Sequence, residues 1–332
     1  MNMNRYNLGV YGGFPPKKEE RVENKVVVTG GTGFLGRAVC KHLDSEGFAV
    51  RALGSRDYDL TSDAEVHEMY RRECPETIIH LAAVVGGIGA NKENPGKFIE
   101  KNLGMGFNLL KSAIEFHVGF KVKKFIMIGT VCSYPKFTPV PFKEEDLWNG
   151  YPEETNAPYG IAKKTCMQMI QSYSKQYGFN GINLIPVNMY GPHDNFDPKN
   201  SHVIPALILK FHEAMQYSTH KDVEIWGTGE ASREFLYVDD CAEAIVSATQ
   251  KLNDPEPVNI GTGKEIKIKD LVNMIQSYMG HKGSIYFNSD YPDGQPRRCL
   301  DVSKAKEKFG FEAKTGFEEG LGKTIEWFKS TL

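Results

Sequence analysis

The stretch Lys25-Val26-Val27-Val28-Thr29-Gly30-Gly31-Thr32-Gly33-Phe34-Leu35-Gly36, followed at once by the helical pattern of Arg37–Asp44, decides how the chain is read. A β-branched apolar run enters a glycine turn and leaves it as a helix, which is how an open α/β sheet presents its first strand to a dinucleotide. The glycines let the backbone turn sharply and approach a pyrophosphate, whose charge sits at the amide-rich, partly positive helix N-terminus. Gly30, Thr32, Gly33, Phe34, Leu35 and Gly36 are therefore the first cofactor-binding candidates.

Outward from this turn, apolar runs at Ala49–Leu53, Thr77–Ala82, Lys124–Gly129 and Gly181–Pro186 alternate with helix-length amphipathic stretches. That alternation predicts a Rossmann-type, doubly wound parallel sheet covered by helices on both faces. Residues 25–186 form the dinucleotide-binding domain in this reading, rejoined by the chain at 235–262, where Val258–Gly261 reads as another buried strand. Beyond 186 the pattern loosens into Pro- and Asn-rich connections, and 187–332 is expected to form mainly a smaller C-terminal α/β substrate domain with a short strand at Val223–Trp226. Residues 1–24, with Gly12-Gly13, Pro15-Pro16 and a charged run from Lys17 to Arg21, read as a tail without apolar periodicity.

Composition removes several function classes. Among 332 residues, 40 Lys and Arg face 42 Asp and Glu, a net charge of −2 that offers no field to nucleic acid or an anionic membrane. No window approaches the roughly 18–20 consecutive apolar residues of a membrane span, and the N-terminus lacks a hydrophobic signal core, so a cytoplasmic protein is expected. The six cysteines are scattered without C-x-x-C spacing, which predicts thiols rather than disulfides or a metal centre.

About twenty residues past Gly36, where an acid would accept the ribose hydroxyls of NAD(H), the chain reads Gly54-Ser55-Arg56. Arg56 with Ser55 suits a 2′-phosphate, so NADP(H) is the expected cofactor; Asp57 is the alternative that would restore NAD(H). Downstream, Tyr159 and Lys163 stand four residues apart at the start of a helix, on one face, where the ammonium is expected to bring the phenol's pKa down from about 10. Thr130 follows the strand at 124–129, at the carboxyl edge where doubly wound sheets bind ligands. An extended segment there would point Thr130 and Cys132 to the same side.

Together, Thr29–Gly36, Asp59-Leu60, Leu81-Ala82-Ala83, Asn102, Thr130 and the Tyr159/Lys163 pair resemble the extended short-chain dehydrogenase/reductase family, from about residue 25 to the end. A narrower likeness, to its members that epimerise and reduce GDP-linked 4-keto-6-deoxy sugars, rests on Val85-Gly86-Gly87-Ile88, Cys132–Lys136, Asn188–Phe196, Asn200–Ala206 and Arg233-Glu234-Phe235. The resemblance implies Thr130, Cys132, Tyr159, Lys163 and His202 as catalytic residues, and adds Asp59, Leu60, Leu81, Ala82, Ala83 and Lys163 to the cofactor contacts. It implies Val85, Gly86, Asn188, Lys210, Trp226, Arg233 and Arg298 as substrate contacts, the basic ones for the pyrophosphate, and a homodimer. Lys210 stands where many relatives carry Arg, which puts a bidentate grip in doubt.

The chemistry implied is physically coherent. A carbonyl at carbon 4 acidifies the hydrogens on carbons 3 and 5, and Cys132 and His202 have reference pKa values within about two units of neutrality, so each can exchange protons there. Which of them starts is left open, and His193 is a rival imidazole. Trp226 is equally readable as core. A nicotinamide-binding sensor without chemistry is the contrasting class, disfavoured because Thr130, Tyr159 and Lys163 occur together.

Overall fold

The computed structural model describes residues 23–120, 122–198, 200–291 and 293–332; apart from its last two residues, the expected tail lies outside the described residues. The first half runs β1 (Lys25–Thr29), α1 (Phe34–Ser45), β2 (Ala49–Leu53), α2 (Asp63–Glu73), β3 (Thr77–His80), α3 (Ile88–Glu93), α4 (Pro95–Phe120), β4 (Lys124–Ile128), α5 (Ala157–Tyr177) and β5 (Gly181–Pro186). The second half continues with β6 (Asn188–Tyr190), α6 (Val203–Tyr217), β7 (Val223–Trp226), β8 (Ser232–Tyr237), α7 (Val238–Lys251), β9 (Val258–Ile260) and β10 (Glu265–Lys267). It ends with α8 (Ile268–Met279), β11 (Ile285–Asn288), β12 (Arg297–Arg298), α9 (Ser303–Phe309) and α10 (Phe317–Ser330).

Six parallel strands in the order β2-β1-β3-β4-β5-β9 form the main sheet. Every residue of β4 and β5 is buried, because helices cover both faces and leave no polar side to alternate with. One helical layer brings α1 against α7 and α7 against α9, while the other packs α2 on α4 and α4 on α5. Val27, Val28, Ile78, Ile126, Ile182 and Leu184 are fully buried at its centre. Each such side chain contributes roughly 1.5–3 kcal/mol of transfer free energy.

The chain leaves β1 for β2 in one direction and crosses back to β3 in the other, which opens a crevice at the carboxyl ends of β1 and β3. Gly30, Leu81 and Thr130 all lie at this edge. The third strand is shorter than its apolar run suggests and ends at His80. Leu81 N still donates to Thr29 O at 3.0 Å, but Ala82 then folds over the glycine turn, so close that a β-carbon on Gly30 would meet Ala82 N at 2.7 Å.

A second core, including Tyr190, Ile208, Phe211, Leu271, Ile275, Leu321 and Ile325, joins α6, α8 and α10 to β6–β8. Here β8 pairs with β6, β10 and β12, and β7 pairs with β11. Leu300, Phe309 and Phe311 return to the first core, so the segment that carries Arg298 bridges the two.

Candidate active site

The glycine turn is built to receive an anion. Gly31 N donates to Val28 O and Leu53 O at 3.2 and 2.9 Å, which leaves the turn rigid at the sheet edge. Gly33 caps α1 with no side chain over its amides and no acid in the first helical turn. A β-carbon on Gly36 would stand 2.1 Å from Gly30 O, so only glycine permits this close crossing. The cradle fits a pyrophosphate on shape and on its uncompensated amide dipoles.

At the end of β2, Arg56 is exposed, whereas the Asp57 carboxylate turns back to accept from Gly54 N at 2.7 Å and Arg51 at 3.3 Å. The acid that would restore NAD(H) selection is thereby engaged in its own turn. Asp59 accepts from the hydroxyl and amide of Thr61 at 2.7 and 2.9 Å, which hold its carboxyl below the ordinary value, and Leu60 is buried in the first core. Leu81, Ala82 and Ala83 are half-buried past β3.

The segment after β4 departs from the extended reading. Val131–Ser133 form a single 3₁₀ turn, and Thr130 Oγ1 caps it by accepting from Cys132 N at 3.2 Å. The physical reason is the cap itself, which turns the chain before a second extended residue can form. Ser133 Oγ donates to Gly160 O at 2.9 Å and so ties this turn to α5.

Tyr159 stands half-buried in the first turn of α5, after Pro158, and Lys163 is buried one turn further on. Burial pulls the Lys163 ammonium down to about 8. The expected depression of the phenol is reversed: burial first, then the electrostatic effect of Cys132, push Tyr159 above its ordinary value. Desolvation disfavours the phenolate, and the neighbouring Cys132 adds to that effect.

His80 is a site neighbour that the apolar reading of Thr77–Ala82 passed over. Fully buried, it places Nδ1 2.8 Å from Thr29 Oγ1, while Nε2 has no partner among the described residues. Burial, then the charge of Lys163, hold the imidazole far below its ordinary value and therefore neutral.

On the substrate side, the Asn102 amide exchanges two 2.9 Å bonds with Val84 and fixes the loop that carries Val85 and Gly86. The next residue abuts the second half of the chain, since a β-carbon on Gly87 would lie 3.0 Å from Ser201 O. His202 stands at the N-cap of α6, exposed to solvent, with partial desolvation lowering its imidazole pKa. His193 is instead a packing residue, its ring 4.8 Å from that of Trp327.

Trp226 is 62% exposed and stacks on Tyr291 at 4.4 Å and 8°, so it belongs to a surface platform and not to the core. Lys210 borders it, with Nζ 5.7 Å from the indole centroid and donating to Glu224 O at 2.7 Å. Asn188 donates to Glu234 O at 3.4 Å. Arg233 donates to Ser232 O and Gln295 O, each at 2.7 Å, and to Asp293 O at 3.2 Å; burial, then the charge of Arg298, bring it down to about 10. Arg298 faces the thiol of Cys132, with Nη1 3.7 Å from Sγ. Tyr291 and Gln295 carried no motif or periodicity that marks them in the sequence; only the fold brings them here.

Known proteins share this fold. The profile of the NAD dependent epimerase/dehydratase family matches residues 26–261. The chain is 41% identical over 305 residues to the probable GDP-L-fucose synthase 1 of Oryza sativa subsp. japonica, covering 92% of each protein. It is similar in structure to a GDP-6-OMe-4-keto-L-xylo-heptose reductase from C. jejuni (TM-score 0.85, 30% identity, covering 93% of this chain and 98% of that one). It is likewise similar to a GDP-L-fucose synthetase from Naegleria fowleri bound to NADP (TM-score 0.84, 28% identity, covering 93% of this chain and 95% of that one).

Proposed function

The chain belongs to the NAD dependent epimerase/dehydratase family, and from that membership we propose that it is a GDP-L-fucose synthase, inverting carbons 3 and 5 of GDP-4-keto-6-deoxy-D-mannose and reducing carbon 4 with NADP(H). The observation that carries the reading is the capped turn of Thr130 and Cys132 locked onto the helix of Tyr159 and Lys163. It joins an oxyanion donor, a proton-exchanging thiol and a phenol at the mouth of the nucleotide cradle.

Held at the glycine turn, NADP(H) supplies the hydride for carbon 4. The Thr130 hydroxyl and the Tyr159 phenol donate to the carbon 4 oxygen, stabilising the enolate during epimerisation and the alkoxide during reduction. Because burial keeps Tyr159 protonated, it remains a donor throughout the epimerisations and gives up its proton to the alkoxide. Cys132 and His202 serve opposite faces of the ring, one removing a proton from the carbon beside the carbonyl and the other returning one. In this reading the Lys163 ammonium, one helical turn from Tyr159 and felt by the neutral His80, offsets charge left on the tyrosine oxygen.

The diphosphate and base of the substrate lie toward Lys210 and the exposed Trp226–Tyr291 stack in this reading, with Val85, Gly86 and Asn188 along the sugar. All six cysteines are thiols, which supports a reducing, cytoplasmic location. A homodimer through α4 and α5 is supported by Phe107 and Tyr177, both exposed on these helices, and by a groove that Trp148, Ile161, Met169 and Tyr173 line.

Incubating the protein and oxidised cofactor with the ketosugar nucleotide in heavy water should place deuterium at both carbon 3 and carbon 5, and Cys132→Ser should suppress that far more than hydride transfer. The likeness to the heptose reductase favours a second reading, action on another GDP-linked ketosugar. Deuterium at one carbon alone would replace the first reading with the second.

A further inference from the structure

Arg298 does not point into open solvent. Its backbone is set by β12 pairing with β8, where it stands opposite Arg233, and by the residues that follow. Leu300 N donates to Glu234 Oε2 at 2.7 Å, while Cys299 O accepts from Phe142 N at 2.8 Å. The side chain is set by Gln295, whose Oε1 accepts from Arg298 Nε and whose Nε2 donates to Lys136 O at 2.8 Å. Lys136 lies just beyond the turn that carries Cys132, so one amide braces both the guanidinium and the thiol's own segment. Arg233 in turn holds Gln295 through its carbonyl at 2.7 Å. What this framework presents to Cys132 Sγ is Arg298 Nη1 at 3.7 Å.

A guanidinium braced on a sulfur is a fixed counter-charge for a thiolate, since Arg stays protonated and its planar fork loses little freedom when the Nε edge is already bound. We propose that Arg298, oriented by Gln295, is the counter-ion of the Cys132 thiolate and so a positioning residue for proton exchange, in place of the pyrophosphate ligand that the sequence resemblance implies. The proposal rests on the reading of Cys132 as a proton-exchanging group. In one direction a ring carbon–hydrogen bond breaks, a sulfur–hydrogen bond forms and the electron pair moves to the carbon 4 oxygen. In the other the sulfur–hydrogen bond breaks, the carbon–hydrogen bond forms and the negative charge returns to sulfur. Arg298 stands beside the sulfur in both. Arg233 and Tyr159 also act electrostatically with Cys132.

The thiolate, not the thiol, is alkylated by iodoacetamide, so the rate at Cys132 reads this counter-ion without any turnover. In full-length, substrate-free protein at neutral pH, with the Cys132 peptide quantified by mass spectrometry against that of Cys40, Arg298→Met should slow alkylation roughly tenfold or more. Arg298→Lys should recover most of the rate, and Gln295→Leu, which leaves the cation in place but unbraced, should fall between. Loss of a bulky side chain would by itself speed access, so a decrease isolates the charge. Unchanged alkylation in Arg298→Met together with a raised KM for the sugar nucleotide overturns the proposal and returns Arg298 to pyrophosphate binding. Should Arg298→Met fail to fold, unchanged alkylation in both Gln295→Leu and Arg298→Gln does the same. Failure of the proposed function shows separately, as absence of deuterium exchange in a protein whose Cys132 still alkylates rapidly.

Discussion

The α-carbon of Gly160 faces the carbonyl oxygen of Cys132 so closely that a β-carbon there would stand 2.3 Å away. The helix that carries the phenol and ammonium thus abuts the turn that carries the thiol, and a single missing methyl group sets their spacing. Gly160→Ala has to push the Cys132 turn off α5, because a backbone oxygen cannot rotate aside as a side chain can. Deuterium exchange from the ketosugar should fall roughly tenfold or more, in keeping with the sensitivity of proton transfer to misplacement of about 1 Å. NADPH affinity, measured by fluorescence titration, should stay within about twofold, because the cradle at Gly30–Gly36 lies on other elements.

Tyr159→Phe removes the proton donor while keeping the ring that fills the site. Loss of general acid catalysis corresponds to about 10²–10⁴-fold in the reductive step, read as NADPH consumption with ketosugar. Reduction at the wild-type rate would transfer the donor role to another group.

Arg56 is exposed at the end of β2 while Asp57 is bound within its turn. Replacing Arg56 with Glu should therefore weaken NADPH through repulsion of the 2′-phosphate, and shift the NADPH:NADH preference, as a ratio of kcat/KM, by about tenfold or more. If Arg56→Glu leaves the ratio unmoved, the 2′-phosphate is bound elsewhere.

Asp194 is buried, with Oδ2 unpartnered among the described residues, and burial raises its carboxyl to about 7. In the unfolded chain it ionises near 4, so between about pH 4 and 7 the folded state holds the extra proton and the carboxyl's contribution to stability declines as pH rises. Asp194→Asn retains an oxygen for the Asn195 amide, now 2.7 Å from Oδ1, and removes the charge. The variant should exceed wild type by about 1–3 kcal/mol in urea unfolding at pH 8, with the advantage disappearing by about pH 4. A gain independent of pH would mean that the carboxyl titrates alike folded and unfolded.

Much of the fold was legible because its signals are short-range. The β-branched run of Val26–Val28, the glycine spacing from Gly30 to Gly36 and the helical offset of Tyr159 from Lys163 each encode a local geometry with few alternatives. Strand ends were less so: β3 stops at His80 because a glycine turn from another part of the chain lies under Ala82, and the run of apolar letters carries no trace of that contact. Cys132 was placed in the right segment but in the wrong local form, since whether a threonine caps a turn or continues a strand depends on what its hydroxyl meets.

The sequence by itself determined the sheet and the nucleotide cradle, which follow from periodicity, from the left-handed φ at Gly30 and from the close crossing at Gly36, whereas the residues of an epimerising and reducing site followed from the family resemblance. Tertiary structure alone decided which charges meet. Arg298 reaches Cys132 across 166 residues, and Gln295 reaches Lys136 across 159. It also decided the direction in which Tyr159 and His80 titrate, because desolvation is a property of the packed surroundings and no residue carries it in its own chemistry.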